Sequence, residues 1–269
     1  MNSDIPSVTV ITCHYGDPWW VCNLIRQVHN LDFIKKIFIF DNSTNSNLTE
    51  IAFDSRVKVL NCPTEYSANL QHAFTLNWAL RNLEIESEWI LILDSDIVFL
   101  DHKWVNFFAE NTKDYDALLT LQEGSNSLTH PCFNLIHRNQ INNLDYMEGM
   151  ESANFDTGRL IGLQLGSRHV SVLRLSPTRW FKNSFGYVYC DSSILHVTSA
   201  SVRFMPSRSN VKLKRLKSLY SRWISLDHSR SLRTMPLGIT LIIFMFYLSF
   251  SFFKFKFVGL EKHNVNLFE

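Results

Sequence analysis

The chain predicts an α/β protein with a mixed, mostly parallel sheet flanked by helices and followed by a C-terminal hydrophobic helix. Short β-branched runs alternate with segments of helical apolar spacing through the first half. These runs are apolar on both faces, as strands covered by helices on two sides must be. From Met235 to Phe253 no residue carries a charge, and nineteen residues at the helical rise span roughly 28 Å, close to a bilayer core.

Each element has its own signal. VTVITC (8–13) is β-branched and is followed by GDP, where Asp17 caps a helix with Pro18 at its first position. KIFIFD (36–41) and RVKVLN (56–61) are the next strands, and SANLQHAFTLNWALRN (67–82) has helical spacing. WILILD follows, then a helix capped by Asp101, then the strand ALLTL (117–121). The second half is less regular. CFNLIH (132–137) and VSVLRL (170–175) read as strands, FDTGRLIGLQLGS (155–167) as a capped helix ending near Gly166, and SSILHVTS (192–199) as a last strand.

Composition sets bounds on function. With 269 residues, 46% hydrophobic and 19% charged, the chain can bury a substantial core. A net charge of +1 gives no whole-chain argument for nucleic acid, and none is expected as a partner. The five cysteines (Cys13, Cys22, Cys62, Cys132, Cys190) form no CxxC or zinc spacing and read as reduced thiols in a cytosolic setting. MNSDIPSVTVITC lacks the basic and long apolar regions of a secretory signal. The sequons at Asn42 and Asn47 are therefore expected to stay unmodified.

In open α/β sheets ligands lie beyond the carboxyl ends of the strands. Thr12 and His14, Asp41 to Ser43, and Asp94 to Asp96 all stand at such ends. EWILILDSDIVFL places two carboxylates one residue apart, which on a continuous strand share a face. Like charges so close call for a cation, and Mg²⁺ or Mn²⁺ bridging to substrate phosphates is one; turn or capping aspartates are the other reading. Asp114-Tyr115-Asp116 matches the same triplet but precedes its apolar run, at the wrong end of a strand.

The order VTVITCHYGD, IFDNS, NLQHAFTLNWAL, WILILDSDIVFL resembles the nucleotide-sugar half of the inverting family 2 glycosyltransferases, which have the GT-A, Rossmann-like fold. The likeness runs over roughly residues 7–205. It implies that Thr12, His14, Asp41 and Asn69 line the donor pocket, with Asn77 on the same polar helix, and that Asp94 and Asp96 hold the diphosphate through Mn²⁺ or Mg²⁺. Gln71 replaces the glycine usual in that pattern. CFNLIHRNQ and FDTGRLIGLQLGSRHVSVLRL resemble the acceptor side, where an acidic residue at a helix start is the catalytic base. That residue is Asp156 here, with helix N-cap as its alternative role. The usual Glu-Asp pair is absent. By the same likeness His196 is a third metal ligand, a structural histidine being the alternative.

The implied activity is transfer of a sugar from a nucleoside-diphosphate sugar to a hydroxyl acceptor, a glycan or glycolipid, in polysaccharide or glycolipid assembly. A nucleotidyltransferase and an inactive membrane scaffold of the same fold are the alternatives. HYGDPWW lacks the glycine-rich basic loop of the first of these. The expected organisation is a catalytic domain over 1–205, with halves meeting near residue 100, a basic linker over 206–234, a hydrophobic segment over 235–258 and a tail over 259–269. KLKRLKSLYSRW (212–223), Arg230 and Arg233 form the heavier basic flank. This favours a catalytic domain on the cytoplasmic face, the segment spanning the membrane, lying in its interface, or burying itself in an oligomer.

Overall fold

A computed structural model of the chain describes residues 5–43, 48, 55–62, 65–66, 68–150, 156–179, 186–190 and 193–197. All lie within the unit Met1–Ser207. The expected linker, hydrophobic segment and tail fall outside the described residues. Among the described residues no helix is long and apolar enough to cross a membrane.

The chain begins with β1 (Val8–His14), α1 (Pro18–Val28), β2 (Ile34–Asp41), β3 (Val57–Leu60), α2 (Ala68–Asn82) and β4 (Trp89–Asp94). It continues through β5 (Ile97–Phe99), α3 (Lys103–Asn111), β6 (Ala117–Leu121), β7 (Thr129–His137), α4 (Ile161–Ser167) and β8 (Val172–Leu175). Three short strands close the described part: β9 (Thr178–Arg179), β10 (Gly186–Tyr189) and β11 (Ile194–Val197). Seven strands form one sheet in the order β3-β2-β1-β4-β7-β6-β8. Four of its neighbouring pairs are parallel and two, both involving β7, are antiparallel. The expected mixed, mostly parallel sheet with flanking helices is observed.

Alternation along the strands divides the core. Val8 and Val10 of β1, Ile37 and Ile39 of β2, and Leu91 and Leu93 of β4 pack with Val21, Leu24 and Ile25 of α1 and with Trp104 and Phe108 of α3. Ile11, Phe38, Phe40, Ile90 and Ile92 point the other way, against Ala73 and Leu76 of α2 and Ile161 and Leu165 of α4. Burying an aliphatic side chain of this size stabilises the fold by about 1.5–3 kcal/mol. Helix α1 starts as expected: Asp17 accepts the Trp19 N–H at 3.1 Å, and Pro18 occupies the first turn.

Three local expectations are corrected. EWILILDSDIVFL is not one strand, because Ser95 and Asp96 form a turn and the chain leaves the main sheet there. Strand β5 pairs with β11 in a second sheet of order β5-β11-β10-β9, which alternation alone does not announce. The helix read over 155–167 begins only at Ile161, with Leu160 as its N-cap residue, so Asp156 is not its cap. Residues 157–160 are turns, held at Gly158 by a positive φ of 65° and a backbone bond from its N–H to Tyr146 O. Asp101 accepts the Lys103 N–H at 2.9 Å, but the residue at the N-cap position of α3 is His102.

Candidate functional site

The strand order places the site. The chain runs from β1 outward to β2 and β3, then returns through α2 to β4 on the other side of β1. The order reverses between β1 and β4, where open α/β sheets form their ligand crevice at the carboxyl ends. At that edge His14 is in register with Asp41 on one side, and Cys13 is in register with Asp94 on the other.

The turn after β4 makes the acidic cluster. Asp94 ends the main sheet, Asp96 lies in the turn, and Ile97 pairs with His196 of β11. His196 Nε2 therefore stands 3.4 Å from Asp94 Oδ2 and 3.4 Å from Asp96 Oδ1. The sheet change, not strand alternation, brings the carboxylates to one imidazole. His72 of α2 reaches the same group, its Nε2 being 3.9 Å from Asp94 Oδ1. The His130 ring lies against His196 with centroids 4.8 Å apart. Asp96 and His196 are buried, at 4% and 3% exposure, so their charges must be compensated locally.

The electrostatics follow from that burial. Burial alone would discharge His196, but the hydrogen bond and charge of Asp96, with Asp94 and Asp156, hold its pKa above the usual histidine value. Burial raises Asp94 to about 7, with His196 pulling it down and Asp96 and Asp156 pushing it up. His72 and His130 lie below the usual range, His72 at about 4, mainly through burial. Without an ion, His196 thus favours the charged form of Asp94, and Asp94 and Asp96 favour the charged form of His196. The donor set also fits a divalent ion. One atom from each of Asp94, Asp96 and His196 lies within 4.8 Å of the others, and ligands held at about 2.1 Å need separations of about 3–4 Å. Two carboxylates with an imidazole suit Mn²⁺ better than Mg²⁺.

Asp156 lies near enough for its charge to act on both Asp94 and His196. Its Oδ2 accepts a hydrogen bond from Gln122 Nε2 at 3.0 Å. The residue is exposed overall, but partial desolvation of its carboxyl raises the pKa, against the charges of His196 and Arg159. The neighbouring Thr157 hydroxyl donates to Asn69 O at 3.0 Å, tying this turn to the start of α2. Asn77 serves the fold, since its side chain donates to Asp145 Oδ1 at 2.6 Å and accepts the Tyr146 N–H at 2.8 Å.

The other flank is stitched by backbone and hydroxyl groups. Ser43 N–H donates to Asp41 Oδ1 at 3.0 Å, Gly16 N–H donates to Ser43 Oγ at 2.8 Å, and Asn42 N–H donates to His14 O at 2.8 Å. Gly16 has a φ of 99°, which a side chain would resist. Thr12 and His14 share a strand face and are fully buried, and among the described residues neither the Thr12 hydroxyl nor the His14 ring finds a hydrogen-bond partner of normal geometry. Burial lowers the His14 pKa, against Asp41, Asp17 and the Gly16 backbone.

Thr12, His14 and Asp41 therefore form one flank, Asp94, Asp96, His196 and Asp156 the other, and Asn69 touches the second through Thr157. Asp114 and Asp116 lie at the opposite edge, where Asp116 N–H donates to Ser171 O at 2.9 Å. Sequence reasoning missed His72, His130, Cys132 and Gln122. His72 is three residues after Asn69 on α2, a spacing that shares a helix face. His130 and Cys132 alternate along β7 and share a strand face. Nothing local marks Gln122.

No family model and no curated protein matches the chain. Solved structures similar to it include the mannosyltransferase PcManGT from Pyrobaculum calidifontis in complex with GDP-Man and Mn²⁺. That likeness has 13% identity, covers 64% of this chain and 55% of the other, and has a TM-score of 0.47. GalNAc-T7 with UDP, GalNAc and Mn²⁺ is similar at 12% identity over 63% of this chain and 42% of the other, TM-score 0.47. So is 4-diphosphocytidyl-2C-methyl-D-erythritol synthase from Anaerococcus prevotii, at 12% identity over 76% of this chain and 97% of the other, TM-score 0.47. The chain spans about half the length of the two sugar transferases. At such identities and TM-scores these likenesses decide neither reaction nor substrate.

Proposed function

We propose that the chain is a glycosyltransferase of the hexosyltransferase class that moves a sugar from a nucleoside-diphosphate sugar to a hydroxyl of a glycan or glycolipid, with inversion. The observation that carries this reading is the meeting of Asp94, Asp96, His196 and Asp156 at the carboxyl edge of the parallel strands, beside the reversal of strand order. The resemblance to the inverting family 2 enzymes points the same way.

In this reading Asp94, Asp96 and His196 hold Mn²⁺ or Mg²⁺. Such an ion, when bound, supplies Lewis-acid stabilisation of the leaving diphosphate. Thr12, His14 and Asp41 receive the nucleoside, and Asn69 borders the donor site. Asp156 takes the proton of the acceptor hydroxyl as that oxygen attacks the anomeric carbon and the bond to the diphosphate breaks. Its raised pKa strengthens it as a base. Gln122 orients the carboxylate by its hydrogen bond to Oδ2. The segment 235–258 anchors the enzyme at the cytoplasmic face of a membrane, near a membrane-held acceptor.

The test is thermal stabilisation and calorimetry with a panel of nucleoside diphosphates, with and without Mn²⁺. One nucleotide should stabilise the chain in an Mn²⁺-dependent way that grows with concentration over affinity. Asp96→Asn should abolish that dependence while the chain stays folded, and Asp114→Asn with Asp116→Asn should leave it unchanged. Equal Mn²⁺-dependent affinity in Asp96→Asn and wild type overturns the metal assignment.

A further inference from the structure

Beside the carboxylates lies a second group of ligand atoms. His130, Cys132 and His196 each bring one nitrogen or sulfur within 4.8 Å of the others. His130 and Cys132 project from one face of β7, and His196 comes from β11 in the other sheet. Cys132 is fully buried and His196 is 3% exposed. Among the described residues His196 Nδ1 is buried without a hydrogen-bond partner, although its Nε2 faces the carboxylates.

We propose that His130, Cys132 and His196 form a soft metal site for a thiophilic divalent cation such as Zn²⁺, and that its occupation excludes a hard ion from Asp94 and Asp96 because both sites need the His196 ring and a neutral imidazole has one lone pair. The soft site does not rest on the transferase reading; the exclusion rests on that reading's metal site at Asp94 and Asp96.

The ligand chemistry carries the proposal. Two imidazoles and a thiolate are a zinc set, and three protein ligands leave the fourth position open, as in exchangeable rather than structural sites. Two carboxylates with one imidazole are a harder set. The His130 ring lies against that of His196, with centroids 4.8 Å apart. Its Nδ1 accepts the Cys132 backbone N–H at 3.2 Å, which holds the ring beside the thiol. An ion taking that lone pair replaces a hydrogen bond at the long end of the normal range. Thr120 Oγ1 stands 3.3 Å from Cys132 Sγ, within reach to donate to a thiolate. Ligation by Cys132 exchanges a proton for the ion: the S–H bond breaks, the sulfur–metal bond forms, and the proton leaves to solvent, as does the proton on the ligating nitrogen of His196 where that ring is charged. The charges of Asp94 and Asp96 act on this thiol and draw a cation toward it.

The experiment titrates the reduced full-length chain with Co²⁺, whose thiolate charge-transfer and tetrahedral d–d absorptions report sulfur ligation. One Co²⁺ per chain should give both, Zn²⁺ should displace it, and Asp96→Asn should retain the signal. Cys132→Ser should lose the charge-transfer band, and His130→Gln should weaken Co²⁺ binding by at least about 10–100-fold, the loss that follows disturbance of a metal site. His130 is less buried than Cys132, so His130→Gln decides the matter if Cys132→Ser fails to fold. Absence of the band, or its survival in a folded Cys132→Ser chain, overturns the site. Exclusion is read from the electron paramagnetic resonance of Mn²⁺. One equivalent of Zn²⁺ should release bound Mn²⁺ from wild type but not from His130→Gln. Mn²⁺ that stays bound beside stoichiometric Zn²⁺ overturns exclusion.

Discussion

Single residues divide here into those whose chemistry depends on the site and those that serve the fold. Asp156 belongs to the first group, because α4 begins at Ile161 and leaves it no capping role. Asp156→Asn preserves shape and can still meet Gln122, but removes the proton acceptor. Transfer should fall by about 10²–10⁴-fold, with donor binding and melting temperature nearly unchanged; normal turnover would remove Asp156 from the mechanism. His14 makes a different prediction. Burial lowers its folded pKa below 6.5, so the unfolded chain binds its proton first as the medium is acidified. Its contribution is fully present above pH 6.5 and is lost as pH falls from 6.5 toward the folded value. Melting curves at pH 7.5 and 5.5 should therefore differ less in His14→Gln than in wild type. An equal or larger difference in the variant refutes this assignment.

Elements acquire their roles where they end. Strand β4 delivers Asp94 by stopping, and the turn at Ser95 and Asp96 hands the chain to another sheet, whose partner strand brings His196. A straight continuation would have kept Asp96 in the main sheet and β5 away from β11. The segment before α4 is equally specific. Gly158 has a φ of 65°, and a Cβ there would meet the Tyr146 ring at 2.5 Å. Tyr146 is fully buried and cannot retreat without opening the α2 face of the core. Gly158→Ala should therefore destabilise the chain by about 1–3 kcal/mol, the cost of overpacking joined to left-handed strain. Denaturant melts measure it. Because Gly158 follows Asp156 closely and its carbonyl accepts the Thr129 hydroxyl at 2.5 Å, transfer should suffer as well.

For the molecule as a whole, the prediction concerns where it resides. The uncharged run from Met235 to Phe253 and the basic residues before it motivate a membrane anchor. The full chain should sediment with membranes, and a chain ending at Arg233 should stay in the supernatant. A full-length protein that remains soluble at physiological salt without detergent contradicts the anchor. Release by high salt alone identifies an interfacial helix, whose attachment is electrostatic and screened.

Local periodicity and end signals account for the part of the fold that can be read from the chain alone. β-branched runs announced β1, β2, β4 and β6, Asp17 and Pro18 announced α1, and the polar residues after those strands marked Thr12, His14, Asp41 and Asp94 as an edge. These signals survive because strand alternation and helix capping act over a few neighbouring residues. The separation of Asp94–Asp96 from Asp114–Asp116 was legible for the same reason, since strand direction orders the two ends. Only tertiary structure decided which distant side chains meet. That His196 stands between Asp94 and Asp96 depends on β11 pairing with β5, and that His72, His130 and Cys132 surround them depends on α2 and β7 crossing the same edge. Asp156 lost its capping role because the Gly158 turn packs on Tyr146 and delays α4. Such contacts join residues tens of positions apart, where neither periodicity nor capping carries information; they are selected by how the described elements pack on the two faces of the sheet.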